Sequence, residues 1–194
     1  DTAIVVGWLR NMPKELWDRG QEYSVQYYDL FYTFKEVSNY SKLDSLGRFE
    51  IKVPLINSTE VFMDWKHNCV NTVLEPGETY YLLYDFKAGH AIFMGKNCRL
   101  QNELLAHPIP MIDAEYPGKY ENKVPAQEMM QILESRYKEA EGNLRKQIEK
   151  SASISRCYRE YAAQYLLCIY ATDILQGAYH VKDNVFPQEY VSQV

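Results

Sequence analysis

The sequence predicts an α+β chain, with an antiparallel β-sandwich-like domain at about residues 1–97 followed by an α-helical hairpin. Two observations predict this order. Between Leu43 and Gly95, short runs rich in Val, Ile, Phe and Tyr are separated by clusters of turn-forming residues, a pattern typical of consecutive β-strands. After Pro125, apolar residues recur at steps of three and four, which is typical of amphipathic helices. The predicted domains are an antiparallel β domain at 1–97, a short helix and linker at 98–124, and an α-helical segment at 125–194.

The first third of the chain predicts two strand regions and a turn. Thr2 to Leu9 is an apolar run that predicts a strand, and Gly7 within it marks a bulge or a close backbone approach. Gln21 to Val37 is a long aromatic strand region whose alternation slips in phase near Asp29, as a bulge or a hairpin turn produces. Asn39 to Ser45 is polar and predicts a turn.

The stretch from Leu43 to Gly95 is interpreted as an antiparallel meander, in which consecutive strands are joined by tight turns. Residues 48–53 alternate charged and apolar side chains, so a period of two places Phe49, Ile51 and Val53 on one face. Glu75-Pro76-Gly77 predicts a tight turn, because proline presets φ at the second turn position and glycine accepts a positive φ at the third.

Two long helices are predicted after a short one. Arg99 to His107 predicts a short helix that ends before Pro108, and Met111 to Val124 is interpreted as a linker. The first long helix begins at Pro125, a favoured first-turn residue, and its apolar stripe comprises Met129, Leu133, Tyr137, Ala140, Leu144 and Ile148.

The second long helix is predicted from Ile154 to Leu175, after a break at Ser151 to Ser155 and with Gly177 as its C-cap. The two helices form a hairpin. The aromatic stripe of this hairpin is interpreted as core, and the alternative that remains open is a partner-binding face. The predicted inner face of the second helix comprises Tyr158, Tyr161, Tyr165, Cys168, Ile169 and Thr172.

Composition places the chain among ordinary globular proteins. It has 194 residues, 46% hydrophobic and 24% charged, with a net charge of -5. Without a basic run, this charge argues against nucleic acid as a partner. No apolar run approaches the roughly 20 residues of a membrane span. The 17 tyrosines suit half-buried strand and helix positions as well as interfaces.

The four cysteines do not form a C-x-x-C motif. Cys157 and Cys168 are 11 residues apart, so on one continuous helix they lie about 16 Å apart, too far for a disulfide. Cys69 and Cys98 lie near predicted strand ends and bridge only if those ends are neighbours; the sequence leaves this open. His67 and Cys69 are two residues apart, with Asp64 nearby in sequence, but a zinc site needs a third and a fourth ligand and none is suitably spaced, so no metal is expected.

Other catalytic signatures are also missing from the sequence. It has no G-x-S-x-G nucleophile turn and no glycine-rich phosphate loop before a helix. Asp64, Glu75 and Asp85 are read as turn and solvent-face residues rather than as a carboxylate pair for glycoside hydrolysis. No catalytic residue and no cofactor is therefore predicted. A sugar-stacking platform built from Trp8, Trp17 and Trp65 remains an alternative to core packing.

Three short motifs give the chain a resemblance to a known family. They are D-S-x-G-R-F-x-I at Asp44 to Ile51, L-E-P-G-E-T-Y at Leu74 to Tyr80, and F-M-G-K-N-x-x-L-Q-N-E-L at Phe93 to Leu104. The pattern resembles the N-terminal, DUF4369-like region of thioredoxin-superfamily thiol–disulfide oxidoreductases of Bacteroides-type bacteria. The resemblance covers about residues 1 to 180. It departs from the family at Ser151, where an N-P-x-S step is often found.

The resemblance implies a non-catalytic role for this chain. In that family a thioredoxin fold with C-x-x-C follows the helical segment, and no such motif is present here. The matched residues, Asp44, Gly47, Phe49, Glu75, Pro76 and Gly77, shape turns and core in the family. The expectation is a region of an exported, periplasmic or cell-envelope protein, with its signal peptide removed. It would position a substrate protein or a second protomer beside the thioredoxin domain.

Two other functions remain open from the sequence. One is a cell-surface β-sandwich module that binds a glycan or a peptide with Trp and Tyr side chains. The other is a purely structural dimerisation domain, so a homo-oligomer is a possible assembly. Whether the chain belongs to an enzyme depends on the resemblance, since its own residues predict no catalytic site.

Overall fold

The structure is a computed structural model that describes residues 1–17, 22–29, 35–65, 68–110 and 124–177. The chain divides into two compact units, Asp1–His107 and Pro108–Val194. The described part of the first unit contains eight strands and two short helices: β1 (Thr2–Arg10), α1 (Lys14–Trp17), β2 (Glu22–Asp29), β3 (Lys35–Lys42), β4 (Arg48–Pro54), β5 (Thr59–Trp65), β6 (Asn68–Leu74), β7 (Thr79–Asp85), β8 (His90–Met94) and α2 (Arg99–Ala106).

These strands form two four-stranded sheets that share one core. The first sheet has the order β4-β1-β7-β8, and the second has the order β3-β2-β5-β6. Their inner faces meet in one cluster of buried residues, to which the first sheet contributes Val5 and Ile51 and the second contributes Val25 and Met63. The rings of Tyr23 and Phe49 stack across this core, with centroids 4.0 Å apart. The predicted α+β class, with a sandwich-like β domain, is confirmed.

The strand connections differ from the predicted meander. β1 lies between β4 and β7 and pairs with β7 in parallel, while the other ladders are antiparallel. Within Leu43 to Gly95 the chain changes sheet between β4 and β5 and again between β6 and β7, as it does earlier between β1 and β2 and between β3 and β4. The predicted meander is therefore confirmed for the consecutive antiparallel pairs β5–β6 and β7–β8 and wrong for the other connections. Turn residues mark where strands end, but they carry no information about which distant strand provides the partner.

Local patterns predicted most strand and turn positions. The side chains of Phe49, Ile51 and Val53 are buried on the inner face of β4, with charged residues between them. In the turn before β7, the Glu78 N–H donates to the Glu75 carbonyl at 3.3 Å and Gly77 has φ +81°. This is the geometry of a type II turn, as the sequence predicts.

Two predictions for the chain before residue 46 have different outcomes. The phase slip near Asp29 is a hairpin, because β2 and β3 pair antiparallel with Asp29 opposite Lys35; residues 30–34 lie outside the described part. The predicted turn at Asn39 to Ser45 was wrong in its first half, since β3 extends to Lys42. A polar sequence is tolerated there because β3 is the edge strand of its sheet and stays largely exposed.

Helix α2 belongs to the first unit, although the sequence placed the boundary before it at residue 97. It covers the free edges of both sheets with two neighbouring side chains. Gln101, which is buried, donates from Nε2 to the Val73 carbonyl of β6 at 2.7 Å. Asn102 accepts from the Phe93 N–H of β8 and donates to the Phe93 carbonyl, both at 2.8 Å.

The described part of the second unit is the predicted helical hairpin. It comprises α3 (Ala126–Lys150) and α4 (Arg156–Gly177). The helices run antiparallel, since Tyr137 stacks on Tyr170 at 4.7 Å and the Gln147 amide donates to the Tyr158 hydroxyl at 3.0 Å. The Ser155 hydroxyl accepts from the Tyr158 N–H at 3.1 Å and caps the start of α4.

The burial of the hairpin confirms one helix face and corrects the other. Met129, Leu133, Ala140 and Leu144 are buried on α3, as predicted. On α4 the prediction is confirmed for Tyr158, which is buried together with Ala162, Leu166 and Ile174. It was wrong for the rest of the predicted face, since Tyr161, Tyr165 and Ile169 are half-buried and Cys168 and Thr172 are exposed. The sequence of α4 has apolar residues on all sides of the helix, so its periodicity fits more than one buried face. The prediction favoured the face with large aromatic residues over the face that contains the small Ala162.

No helix in the described ranges is long and apolar enough to cross a membrane. The predicted linker lies outside the described residues between 111 and 123, as does everything after Gly177.

Candidate functional site

The outer face of the first sheet is apolar on three of its four strands. β1 contributes outward side chains at alternate positions, and the outward residues of β7 and β8 lie beside them in register. One row across the sheet joins Val6, Tyr81 and Met94, and the next joins Trp8, Leu83 and Ile92. We define this surface as the apolar face, consisting of Ile4, Val6, Trp8, Tyr81, Leu83, Ile92 and Met94.

Four residues of the apolar face expose two fifths or more of their surface. The exposed fractions are 43% for Trp8, 50% for Tyr81, 41% for Ile92 and 44% for Met94. Where one face of a sheet is in contact with solvent, the residues on that face are usually polar. A contiguous apolar surface at these positions is therefore characteristic of a binding face.

Charged residues lie along the edge of the apolar face, and contacts at this edge fix the position of the Trp8 indole. The Trp8 indole Nε1 donates to the Leu46 carbonyl at 3.0 Å, and the Arg10 guanidinium lies 5.7 Å from the centre of the ring. On the β4 side, Arg48, Glu50 and Lys52 alternate outward beside β1. A partner that packs on the apolar face would therefore meet a rim of mixed charge.

The outer face of the second sheet is different in character. Its strand β2 carries Ser24, which is buried, and Gln26 on the side away from the core, with Tyr40 and Ser38 beside them on β3. Tyr40, Tyr28 and Phe62 are exposed on this side, but Gln26 and Ser38 lie between Phe62 and Tyr40. The two outer faces of the sandwich therefore have distinct chemistry, and only the first offers a continuous apolar surface among the described residues.

A groove lies at one end of the second sheet. The ladder between β2 and β5 joins Ser24–Gln26 to Phe62–Asp64, but β2 continues to Asp29 and β5 begins already at Thr59. Beyond the last pair, the two strands enclose a cavity of about 510 Å³ together with the β4–β5 connection. We define this as the groove; its lining includes Tyr27, Tyr28, Asp29, Ile56, Glu60 and Phe62.

The Tyr27 hydroxyl donates to the Pro54 carbonyl at 2.9 Å within the wall of the groove. Burial raises the pKa of this hydroxyl, and the negative charge of Asp29 raises it further. At neutral pH Tyr27 therefore stays protonated and remains a hydrogen-bond donor.

The motif residues that carry the resemblance form turns. Asp44 accepts from the Leu46 N–H at 2.8 Å and the Arg48 N–H at 2.9 Å, and it pairs with the Arg48 guanidinium at 2.7 Å. The hydrogen bond from the Arg48 N–H is the largest cause that lowers the pKa of Asp44. Gly47 follows with φ +79°, a conformation that favours glycine.

Two of the cysteines are exposed. They are Cys157 and Cys168, so Cys168 does not belong to the buried face of α4 that the sequence predicted. They lie on the continuous helix α4, so their separation of about 16 Å stands. Cys98 is a free, half-buried cysteine whose Sγ lies 3.2 Å from the Gly95 carbonyl, so the bridge to Cys69 that the sequence left open is not formed.

The structure describes the other chemical candidates only in part. Trp8 lies on the apolar face and Trp17 packs against the core, while the side chain of Trp65 lies outside the described part. His67 is also outside the described part, and no group of metal-ligating side chains occurs within it.

Two of the acidic residues considered for glycoside hydrolysis, Glu75 and Asp85, lie at turns in the structure, and the side chain of Asp64 lies outside the described part. Glu75 lies in the turn before β7, where its N–H donates to the Tyr80 hydroxyl at 3.1 Å. Asp85 accepts from the Asn11 side chain at 2.9 Å and from the Lys87 N–H at 2.9 Å, and the first of these contacts is the main cause that lowers its pKa. Both fit the turn roles that the sequence assigns to them.

Comparison with protein-family models, with curated proteins and with solved structures finds no match to this chain.

Proposed function

We propose that this chain is the non-catalytic N-terminal region of an exported thiol–disulfide oxidoreductase of the cell envelope. In this role the apolar face holds incompletely folded substrate proteins beside a thioredoxin domain that the chain itself does not contain. The observation that carries the proposal is the exposed apolar surface formed in register by β1, β7 and β8.

The side chains of the apolar face suit a variable apolar partner. Trp8 and Tyr81 provide large aromatic surfaces with a polar end, and Met94 is a flexible, polarisable side chain that adapts to different shapes. Surfaces of this kind bind partners that share apolar character rather than one sequence. An unfolded substrate with reduced cysteines exposes such segments, whereas a folded protein buries them.

The roles of the matched motif residues also support a scaffold. Asp44, Gly47 and Gly77 organise turns, and their polar groups are used within the fold instead of facing a cleft. A region that positions a partner for chemistry elsewhere needs a rigid frame of this type.

The proposal is tested by the affinity of the chain for the reduced and alkylated B chain of insulin, which serves as an unfolded apolar polypeptide. Tyr81→Ser removes an aromatic side chain from the centre of the apolar face, and we expect it to weaken binding by about tenfold, as hot-spot residues do. Tyr40→Ser is the matched control, because Tyr40 is an exposed strand tyrosine on the polar outer face of the other sheet.

Fluorescence anisotropy of the labelled B chain measures both affinities. Equal affinities for the two variants, or no binding by the unaltered chain, would overturn the role of the apolar face. The assignment to an oxidoreductase is tested separately by the gene sequence that follows the codon for Val194. A downstream thioredoxin fold with C-x-x-C would support it, and a different catalytic domain there would contradict it.

A further inference from the structure

We propose that the outer edge of β3 is a self-association site, at which β3 of a second copy of this chain pairs antiparallel and joins the two second sheets into one. This pairing uses only the edge of the second sheet, so it does not involve the apolar face and is independent of the proposed function. Three features of β3 point to it: an edge without a neighbouring strand, the positions of its charges, and an amide group without a partner.

β3 lies at the end of the second sheet, and within the described part of the chain only β2 pairs with it. At the opposite end of the same sheet, the edge of β6 is covered by α2 through Gln101. The ladder between β2 and β3 runs without a bulge from Lys35 to Lys42, and β3 contains no proline. A regular edge strand of this kind presents backbone N–H and C=O groups to which a further strand can bond.

Symmetry limits how two copies of β3 can pair. Two identical strands that pair antiparallel are related by a twofold axis, and this axis passes midway between one residue and its own copy. Each possible register is therefore defined by the residue that lies opposite itself. With Asn39 at the axis, the paired segment spans residues 36–42 of both copies, which is all of β3 except Lys35.

The charges of β3 select the register centred on Asn39. Residue 39 is the midpoint of residues 36 and 42, so only this register places Glu36 of each copy opposite Lys42 of the other. Both side chains are exposed, and no ion pair of either is found within the described part of the chain. Directly opposed charges of unlike sign favour strand pairing, and the twofold axis makes two such pairs in each dimer.

The residue at the axis has an unused hydrogen-bond donor. Asn39 lies opposite the buried Val25 of β2, so its side chain is on the core-facing side of β3, where it is half-buried. Its Nδ2 is buried and has no hydrogen-bond partner among the described residues, which is uncommon in folded proteins. Across the axis, the carboxamide of one copy can donate to the carboxamide oxygen of the other, so the second copy provides the missing partner.

Sedimentation of the full chain across a concentration series tests the proposal, and we expect a reversible equilibrium between monomer and dimer. Glu36→Lys brings two positive charges opposite each other at both pairs, and we expect it to weaken association by about tenfold. Glu139→Lys is the matched control, because it makes the same change of charge at an exposed position of α3 and should leave the dimer unchanged.

A mixture of two variants tests the register itself. Lys42→Glu alone should also weaken association, because it brings two carboxylates together at both pairs. An equimolar mixture with Glu36→Lys restores unlike charges at both pairs, so the mixture should associate about as tightly as the unaltered chain. Lys42 also lies opposite Glu22 of its own β2, so circular dichroism is used to verify that each variant is folded.

Asn39→Ala provides a separate measurement at the axis. We expect it to weaken association by about threefold without lowering the stability of the dilute monomer to urea, because the donor that it removes has no partner there. The proposal is overturned if the chain sediments as a monomer at every concentration, even if an extended peptide binds at β3. A dimer that Glu36→Lys affects no more than Glu139→Lys, or a mixture that associates no better than its two components, would also overturn it.

Discussion

Gly7 has a position in β1 that no other residue fills without strain. It pairs in regular register with Phe49 on β4 and with Leu82 on β7, so it does not form a bulge. A β-carbon added at this position would overlap the ring of Phe49. The absence of a side chain at Gly7 therefore makes room for the ring that stacks on Tyr23 in the core. The sequence predicts a bulge or a close backbone approach at Gly7. In the structure the group that approaches Gly7 is the ring of Phe49, not another backbone segment.

Substitution Gly7→Ala is expected to destabilise the first unit by about 1–3 kcal/mol, because the ring has to leave its packed position. All three tryptophans lie in this unit, so urea unfolding followed by tryptophan fluorescence reports on it selectively. In a Phe49→Leu background the same substitution should cost clearly less, since the smaller side chain leaves space. Equal costs in the two backgrounds would show that the ring is not the cause.

Helix α2 is the element that completes the sandwich. The outermost strands β6 and β8 each have a free edge, and adjacent side chains of α2 bond to the backbone of both. Asn102 reproduces the pair of hydrogen bonds that another strand would make at Phe93. Covering an edge in this way protects it from pairing with another chain.

Substitution Asn102→Ala is expected to cost about 1–3 kcal/mol of the stability of the first unit, because it leaves the Phe93 N–H and carbonyl without these partners. Asn97→Ala is the matched control: Asn97 is exposed and bonds only the half-buried Glu78 side chain among the contacts described, so a change within about 0.5 kcal/mol is expected. The same urea titration measures both. A cost for Asn102→Ala as small as that for Asn97→Ala would contradict the edge-covering role of α2.

At the scale of the whole molecule, the two units present different surfaces. The first unit carries the apolar face and the groove on its two sheets, and the described part of the second unit carries the exposed thiols of Cys157 and Cys168 on α4. Exposure makes these thiols accessible, but dithiol chemistry also requires two cysteines within reach of one another. Their separation of about 16 Å on one helix exceeds the roughly 7 Å between Cα atoms that a disulfide permits.

We therefore expect that the isolated chain does not accelerate the reduction of insulin by dithiothreitol. Cys157 and Cys168 should react with a thiol reagent faster than the half-buried Cys98, because their thiols are exposed. Together, the two results would show that these thiols are accessible but do not act as a redox pair. A turbidity assay of insulin measures the activity. Turnover that is lost in a Cys157→Ser, Cys168→Ser double variant would contradict the non-catalytic assignment.

The sequence by itself determined the features that depend on local chemistry. Alternation over residues 48–53 placed β4 and its buried face, Pro76-Gly77 placed a turn, and the spacing of Met129, Leu133 and Leu144 placed the inner face of α3. The apolar face was also readable in principle. β1 and β7 contain consecutive apolar residues rather than alternating ones, which indicates that both of their faces are apolar.

Only the tertiary structure decided which strands are neighbours and which surfaces they form. The parallel pairing of β1 with β7 joins residues more than 70 positions apart, and the groove depends on where the β2–β5 ladder stops. The face of α4 was decided in the same way, because the packing of Ala162 and Leu166 overrode a pattern that aromatic residues suggested. Strand pairing and helix packing are set by the total apolar surface that the fold buries, a quantity that no local stretch of sequence contains.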